Sequence, residues 1–369
     1  MTRPRIPFLS LVPGDDDGRA VREAVERVIA SGWFVLGPEV EAFEAEFARA
    51  AGAAHAVGVG TGTDAIALIL RALGIGPGDE VITTPLSAAY TALAVMMTGA
   101  RPVFADVDPS RLTLDPREAA RAIGPRTRAI LPVHLYGQAA DMAAIERLAA
   151  RHNLAVVEDC CQAHLATAAG RPVGTIGAGG AFSFYPTKNL GALGDGGAVI
   201  TNDRSLADRI RRLRNGGQSD RYRHDAFGVN SRLDELQAAV LRSRLPRLAG
   251  WTARRRALAA VYRSALAGGP VAVPPELDPG HVYHLFAVRA PGRAALQAQL
   301  AAGGIETLVH YPIPIPRQAA MAGASPADCP EAARACDEVL SLPLHPGLTD
   351  EEAADVVAAL KGHYACVRS

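Results

Sequence analysis

Lysine is almost absent from this amino-acid sequence. Of the 38 basic residues among 369, only Lys188 and Lys361 are lysines, and all the others are arginines. Arginine supplies surface charge and ion pairs, but its guanidinium stays protonated and forms no Schiff base, whereas a lysine amine can lose its proton and attack a carbonyl. Lys188 lies in a glycine-rich interior segment and is therefore a candidate for covalent chemistry.

Other scarcities exclude whole classes of protein. The 38 acidic residues balance the 38 basic ones, which disfavours electrostatic binding of nucleic acid or of an anionic membrane, so the expected partner is a small molecule. No apolar run reaches the length of a membrane span, and the N-terminal segment lacks the pattern of a secretory signal. Five cysteines, two of them adjacent, do not form a disulfide framework. We therefore predict a cytoplasmic protein.

The pattern of the chain predicts an α/β fold with two domains. Short β-branched runs alternate with helical stretches, which is typical of a mostly parallel sheet flanked by helices. Seven strands are predicted, over residues 55–60, 80–84, 102–107, 128–135, 154–159, 179–184 and 197–202. The large domain is predicted over residues 1–250, including an N-terminal arm, and a smaller α+β domain over residues 251–369.

Further elements are predicted beyond the sheet. A long helix is expected over residues 231–251. In the small domain the pattern predicts strands over 281–290 and 305–311, and a terminal helix over 349–363 with Thr349 as its N-cap.

The segment GVGTGTDA (58–65) lies where the first strand meets an apolar helix. Such a junction presents free backbone N–H groups and the positive end of the helix dipole, which is where a phosphate binds. The G-x-G-x-G spacing matches neither a dinucleotide fingerprint nor a Walker loop. A tight turn without any ligand is the alternative explanation.

The segment LAVVEDCCQAH (154–164) ends a strand on two carboxylates. Ligands of parallel sheets bind beyond the carboxyl ends of the strands, so Asp159 is a candidate to hold a protonated ring nitrogen. Its alternative role is to cap the next helix. Cys160, Cys161 and His164 lack a second pair of metal ligands, and we predict no metal site.

The segment GAFSFYPTKNLGALGDGG (180–197) places Lys188 on a loop between two strands, with the Ser183 hydroxyl available to a phosphate oxygen. The alternative is an ordinary exposed lysine. The three segments together supply a phosphate cradle, a carboxylate for a ring nitrogen and a lysine for an aldehyde. This combination matches pyridoxal 5'-phosphate.

On these motifs the chain resembles the DegT/DnrJ/StrS family of sugar aminotransferases, within the fold type I pyridoxal phosphate enzymes. The resemblance implies that Lys188 forms the Schiff base. It also implies that Asp159 pairs with the pyridinium nitrogen and that Gln162 bonds the ring hydroxyl. The phosphate would be held by Gly62, Thr63 and Ser183.

The resemblance also implies partners. Asn230, in GVNSRLDELQAA (228–239), is similar to an asparagine that reaches the phosphate of the neighbouring subunit, so a homodimer with shared active sites is expected. His310 and Tyr311 would contact the substrate; as the alternative, they would only end a strand. The implied reaction moves an amino group from an amino acid, L-glutamate, to a keto sugar nucleotide, with Lys188 as the general acid and base.

Segments 185–197, 221–224 and 230–235 resemble enzymes that aminate C-3 of dTDP-linked 3-keto-deoxyhexoses. Amination at C-4 and a keto-inositol acceptor are alternatives. Related sugar dehydratases carry histidine in place of the lysine, and a non-catalytic regulatory relative is a further alternative. A nicotinamide enzyme is disfavoured by the glycine spacing. Cys160, Cys161 and Leu165 depart from the small residues usual in the family.

Overall fold

The structure is a computed structural model that describes residues 5–12, 14–269, 271–322 and 328–367. Its strands are β1 (His55–Val59), β2 (Glu80–Thr83), β3 (Arg101–Phe104), β4 (Thr127–Leu131), β5 (Ala155–Asp159), β6 (Thr167–Ala168), β7 (Arg171–Pro172), β8 (Gly179–Ser183), β9 (Gly197–Thr201), β10 (Gln218–Asp220), β11 (Arg223–His224), β12 (Phe286–Arg289) and β13 (Val339–Leu342). Its α-helices are α1 (Asp15–Ser31), α2 (Pro38–Ala50), α3 (Gly62–Ala72), α4 (Tyr90–Met97), α5 (Pro116–Arg121), α6 (Met142–His152), α7 (Arg204–Leu213), α8 (Glu235–Arg244), α9 (Leu248–Leu266), α10 (Arg293–Ala302), α11 (Pro330–Glu338) and α12 (Asp350–Val367).

One sheet of seven strands organises the larger part of the molecule. Its order is β1-β9-β8-β5-β4-β2-β3. Strand β9 runs antiparallel to both β1 and β8, and the other neighbours are parallel. Each of the seven predicted strands overlaps one of these, which confirms the expected α/β class with its mostly parallel sheet.

Helix α3 is the central helix on one face of the sheet. Its start is fixed by Thr61, whose side chain accepts a hydrogen bond from the Asp64 N–H at 3.0 Å. The helix is apolar on nearly every side because it packs against the sheet, α4 and α7. Burying a side chain such as Ile66 or Leu70 contributes about 1.5–3 kcal/mol. This packing holds the N-terminus of α3 in a fixed place.

Helix α2 is capped by a residue far away in the chain. The buried carboxylate of Glu235, the first residue of α8, accepts hydrogen bonds from the N–H groups of Gly37, Glu39 and Val40 at 2.8–2.9 Å. These donors are the unpaired amides of the first turn of α2, and a negative charge there is favoured by the helix dipole. Helices α1 and α2 lie outside the elements predicted from the sequence.

A second hydrophobic core is built around the antiparallel pair β12–β13. It joins α9, α10 and α12 and includes Ile6 from the N-terminal segment. The predicted cap of the terminal helix is present, because Thr349 Oγ1 accepts from the Glu352 N–H at 3.1 Å and the Glu352 carboxylate accepts from the Thr349 N–H at 2.9 Å. Lys361 is exposed on α12.

Two predicted elements are wrong in detail. The helix expected over 231–251 begins at Glu235 and is interrupted at Leu245–Arg247 by a single 3-10 turn, because Pro246 has no N–H to donate. The strand expected over 305–311 is reduced to isolated bridges, Ile305 with Ile6 and Leu308 with Ser341. Among the described residues no helix is both long and apolar enough to cross a membrane.

Candidate active site

The candidate site lies at the carboxyl ends of the parallel strands, where β5 and β8 face the N-terminus of α3. Asp159 is the last residue of β5, and its neighbour across the sheet is Ala181 of β8. Ser183 ends β8, and Gly62 begins α3. The topology therefore brings together the three segments singled out in the sequence.

Asp159 is almost fully buried, with 4% of its surface exposed. Its Oδ2 accepts a hydrogen bond from the Thr91 hydroxyl at 2.7 Å, and its Oδ1 accepts from the Cys161 N–H at 3.0 Å. An ionised carboxylate has room for further donors. Two neutral donors leave its negative charge available to a cationic partner.

The N-terminus of α3 forms the cradle expected for a phosphate. The amides of Gly62 and Thr63 have no acceptor within the helix because they belong to its first turn, whereas the Asp64 N–H donates to Thr61. A Cβ placed on Gly62 would stand 2.8 Å from Ser183 Cβ and 2.6 Å from Cys161 Sγ. The close approach explains why glycine is needed here, and it places the Ser183 side chain beside the free amides.

Lys188 is half-buried on the loop between β8 and β9, and its backbone N–H donates to Tyr185 at 2.8 Å. Burial lowers the pKa of its amine, whereas Cys161 and Asp159 act in the opposite direction. A lowered pKa increases the fraction of neutral amine, which is the nucleophilic form. The environment of Lys188 therefore differs from that of an exposed lysine.

Gln162 connects the site to the C-terminal part of the chain. Its Oε1 accepts from the Tyr136 N–H at 2.7 Å, and its Nε2 donates to the Tyr311 hydroxyl at 2.9 Å. Burial raises the pKa of Tyr311, so this phenol stays protonated. The structure thus brings Tyr311 to the wall that carries Asp159.

His310 lies at the edge of the same region. Its Nδ1 is 2.9 Å from Ser341 Oγ, and its ring stacks on Phe8 with centroids 5.6 Å apart. Burial, with the nearby charge of Lys188, lowers its pKa to about 4. It lines a cavity of about 250 Å³ together with Thr187, the residue before Lys188.

Asn230 is exposed, unlike the other candidate residues. Its backbone forms an isolated bridge with Asn215, and the hydroxyl of its neighbour Ser231 donates to Asp64 at 2.8 Å. The segment therefore lies close to the first turn of α3 in the same chain. The structure leaves the Asn230 side chain at the surface rather than within the site.

Two residues at the site, Thr91 and Tyr136, were missed from the sequence, and His164 was considered there only as a metal ligand. Thr91 and Tyr136 bond Asp159 and Gln162, and His164 Nε2 lies 2.8 Å from the Ser183 carbonyl. Burial lowers the pKa of His164 to about 3, so the ring is neutral and its Nε2–H donates. Tyr136 lies in the segment PVHLYG (132–137), which directly follows β4 and could have marked it, whereas nothing near Thr91 distinguishes it.

Cys160, Cys161 and His164 do not converge on one point. Their neighbourhood holds a different cluster of His134, Glu158 and Cys160, whose side-chain atoms lie within 4.8 Å of one another. The Glu158 carboxylate already accepts from three backbone N–H groups at 2.8 Å and contacts His134 Nε2 at 3.1 Å. We interpret this cluster as a hydrogen-bonded part of the core.

The donor set fits pyridoxal phosphate. Free helix amides and a hydroxyl suit the phosphate, a buried carboxylate suits the ring nitrogen, and a half-buried lysine suits the aldehyde. The space over Gly62 accepts no added Cβ, because Cys161 and Ser183 lie against it. This fold and this set of groups define the class of pyridoxal phosphate-dependent aminotransferases of fold type I.

Comparison with known proteins agrees with that class. Residues 15–361 match the model of the DegT/DnrJ/EryC1/StrS aminotransferase family, and the chain belongs to this family. It is 51% identical over 365 residues to a dTDP-3-amino-3,4,6-trideoxy-alpha-D-glucose transaminase of Streptomyces venezuelae, covering 97% of this chain and 96% of the relative.

Two further relatives are similar over almost their whole length. A protein of Saccharopolyspora erythraea named erythromycin biosynthesis sensory transduction protein EryC1 is 49% identical over 361 residues, which cover 96% of this chain and 99% of the relative. The crystal structure of S. venezuelae DesV in complex with a ketimine intermediate superposes with a TM-score of 0.94 at 50% identity, covering 98% of both chains.

Proposed function

We propose that this aminotransferase uses pyridoxal phosphate to move an amino group from L-glutamate to a keto sugar nucleotide, a dTDP-3-keto-deoxyhexose. One observation supports the proposal most strongly. Lys188, one of only two lysines in the chain, is close enough to Asp159 and Cys161 for both to act on the pKa of its amine, and Cys161 in turn borders Gly62 at the start of α3. The sugar substrate follows from similarity to a transaminase named for a C-3 amino sugar.

Each candidate residue has a task toward the cofactor. Gly62, Thr63 and Ser183 would bind its phosphate, Asp159 would hold the proton of its ring nitrogen, and Gln162 would donate to its ring hydroxyl. Bound in this way, pyridoxal phosphate supplies an aldehyde for the migrating nitrogen and a ring that accepts electrons. The Gln162 Nε2 donor is already oriented by its bond to Tyr311.

Lys188 is the group that moves the proton. Burial lowers the pKa of its amine, so a larger fraction of the amine is neutral than in a solvated lysine and able to accept a proton from the substrate carbon. The opposing influence of Asp159 and Cys161 keeps the amine basic enough to hold that proton before returning it. The same side chain therefore serves as base and acid.

The acceptor sugar is proposed to lie between the cofactor and the small domain. His310 is half-buried and neutral at physiological pH because its pKa is about 4. The neutral ring offers one donor or acceptor to a sugar hydroxyl. Tyr311 keeps its proton and is held by Gln162, so it is ready to orient the same sugar.

We also propose a homodimer. Large apolar side chains are exposed in two places, Trp33 and Phe34 after α1 and Met97 with Phe227 around Arg71. Exposed patches of this kind are typical of protein interfaces. The exposed Asn230 agrees with a role toward the neighbouring subunit, and light scattering should give twice the monomer mass of 38.5 kDa. A monomer with full activity would refute shared sites.

We also propose a cytoplasmic location and a boundary between two domains at residues 250 and 251. This boundary falls within the early part of α9 (Leu248–Leu266). A limited-proteolysis map with mass spectrometry would test that boundary.

The test of the function is an absorption spectrum followed by the two half-reactions. The purified protein should show the band of lysine-bound cofactor, which glutamate should convert to the band of the aminated form. Addition of a dTDP-linked 3-keto-deoxyhexose should restore the first band, and the 4-keto isomer should not. If glutamate does not convert the first band, glutamate is not the donor. If the 3-keto sugar does not restore that band, the 3-keto sugar is not the acceptor.

The name of the S. erythraea relative raises a regulatory alternative. The same spectrum separates the two functions. If the protein takes up no cofactor even when cofactor is added, the enzymatic function is refuted and a regulatory role is supported. A protein that completes both half-reactions excludes a purely regulatory one.

A further inference from the structure

Arg255 is the most deeply buried arginine among the described residues, and its pairing differs from that of the other two that are buried. Arg214, Arg244 and Arg255 are 7%, 9% and 4% exposed. Arg214 forms a salt bridge with Glu44, and Arg244 forms one with Asp17 at 2.9 Å. Arg255 forms none with a described carboxylate, and burial lowers its pKa only to about 10, so it stays charged at neutral pH. Buried charges are normally paired, and this one lacks a counter-charge.

The protein uses only one nitrogen of the Arg255 guanidinium. The hydrogen bonds that described residues form with it all come from Nη1, which donates to the carbonyl oxygens of Leu344, His284 and Tyr283 at 2.7, 3.2 and 3.3 Å. Its Nε is buried without a partner among the described residues. The N–H groups of Nε and Nη2 are parallel donors on one edge of the guanidinium, and such a pair matches the two oxygens of a carboxylate.

Arg255 lies in the wall of two cavities, which share Arg255 and Thr187 among their lining residues. The smaller cavity, of about 250 Å³, is also lined by His310, and the larger, of about 850 Å³, is also lined by Lys188. The volume of the smaller cavity lies below the range of about 300–1,000 Å³ that is typical of pockets for drug-sized ligands. It therefore suits a small acid such as an amino acid rather than a nucleotide.

The charges around Arg255 favour an anion. Burial lowers the pKa of both His164 and His284, and the charges of Lys188 and Arg255 lower it further, so the two cations lie close to the same two neutral rings. Glu306 also lines the smaller cavity, but its carboxylate accepts a backbone N–H of the N-terminal segment at 2.9 Å and forms no salt bridge with Arg255. An anion that enters from outside would supply the missing counter-charge.

We infer that Arg255 binds a carboxylate of the amino-acid donor through its Nε and Nη2 edge. The inference rests on the proposed function, in which the donor and the sugar enter the same site in turn and the donor reacts beside Lys188. Glutamate brings two carboxylates into this region, whereas the proposed acceptor carries its negative charge on phosphates. An experiment can therefore tell the two substrates apart.

Glutarate is the probe, because it has both carboxylates of glutamate and no amine that could react. Calorimetric titration measures its Kd for the cofactor-loaded wild type, Arg255→Gln and Arg256→Gln. Arg256 is the matched control, since it is exposed, lines neither cavity and donates from Nε to the His281 carbonyl at 2.8 Å. We expect the Kd to rise about 10–100-fold in Arg255→Gln, because hydrogen bonds to a charged group are lost. It should stay unchanged in Arg256→Gln, and both variants should keep the absorption of bound cofactor.

A second pair of variants leaves Arg255 intact, because Arg255→Gln also removes the donor to three carbonyls and so tests folding as well. Leu11 is 56% exposed and lines both cavities. Leu11→Glu adds a carboxylate to the shared wall and should weaken glutarate binding at least about tenfold by repulsion and competition. Leu11→Gln has nearly the same shape without the charge and should bind glutarate as the wild type does. If Arg255→Gln does not fold, this pair decides.

An unchanged Kd for glutarate in Arg255→Gln would overturn the inference, and so would equal values in the two Leu11 variants or a wild type that binds no glutarate. Titration with dTDP tests the other source of an anion. Weaker binding of dTDP with unchanged binding of glutarate would assign Arg255 to the nucleotide and refute the carboxylate. Wild-type protein that takes up no cofactor overturns the proposed function. A variant Arg255→Gln that converts glutamate with the KM of the wild type overturns the inference alone.

Discussion

Glu158 and Asp159 are adjacent carboxylates on one strand, and their surroundings differ completely. Successive side chains of a strand point to opposite faces, so Glu158 enters the core beside His134 while Asp159 faces α3 and Lys188. Glu158 accepts four hydrogen bonds and is 0% exposed. Asp159 accepts two, both from neutral donors, and forms no salt bridge with a described residue. A saturated carboxylate fixes structure, and an unsaturated one is available to a ligand.

The largest loss of activity is expected at Lys188, which lies on the same side of the sheet as Asp159. Lys188→Ala should lower aminotransferase activity by about 10²–10⁴, because the proton-transfer group is lost. Lys188→Arg should be as inactive, since a guanidinium keeps the charge but forms no Schiff base. Initial rates measure the loss, and Lys361→Ala on the exposed side of α12 is the matched control. A Lys188→Ala enzyme with a tenth of normal activity would contradict the assignment.

Asp159→Asn should cause the next largest loss of activity. The amide oxygen can still accept from Thr91 or Cys161, but the negative charge is gone, and activity should fall by about 10²–10³. The midpoint of thermal unfolding should stay close to that of the wild type. If the variant unfolds as easily as a Glu158 variant, then Asp159 is a structural residue and the contrast fails.

Glu158→Ala tests the carboxylate that fixes structure. Removing a buried carboxylate with four partners should lower the free energy of unfolding by about 3–5 kcal/mol. Glu158→Gln should cost about 1–3 kcal/mol, because its NH₂ group faces backbone donors. Urea denaturation measures both. A variant that keeps its stability but loses all activity would show that Glu158 acts in the chemistry.

The buried His164 makes the stability of the fold depend on pH, which gives a further test. Burial lowers the pKa of His164 to about 3, against 6.5 for an ordinary histidine. As the pH falls below 6.5 the unfolded chain takes up a proton that the folded protein refuses, so stability decreases. The slope contributed by this residue is at most about 1.4 kcal/mol per pH unit. Denaturation at pH 7 and pH 5 measures it, and in His164→Asn this decrease should be smaller.

The smallest effect is expected from Thr91→Val. This change removes one neutral donor to Asp159 and should weaken cofactor binding by about 3–10-fold, equivalent to about 0.5–1.5 kcal/mol. Thr91→Ser keeps the hydroxyl and serves as the control. Titration of the stripped protein with pyridoxal phosphate gives both affinities. Equal affinity in the valine variant would show that Asp159 does not need this donor.

The sequence was most informative where a feature depends on neighbouring residues. The strands of the sheet, the cap at Thr349 and the glycine turn before α3 follow from β-branched runs, capping residues and glycines. The resemblance then assigned the roles of Asp159 and Lys188, which remain proposals. Local patterns explain this part of the fold and of the site.

Contacts between distant residues were missed. Glu235 caps a helix that begins 197 positions earlier in the chain, at Pro38, and Thr91 meets Asp159 across 68 residues. Neither partner has a local pattern that predicts the other. The interruption at Pro246 was missed although proline is a local signal, because the flanking residues keep a helical period.

The scarcity of lysine gives this protein an unusual chemical handle. With one half-buried amine at Lys188 and the other exposed at Lys361, an amine-reactive surface or dye finds a single exposed lysine, on α12, besides the α-amino group of the chain. Molecules immobilised through Lys361 would all present their candidate site in the same orientation. Single-molecule or surface-based measurements of turnover would then need no engineered tag.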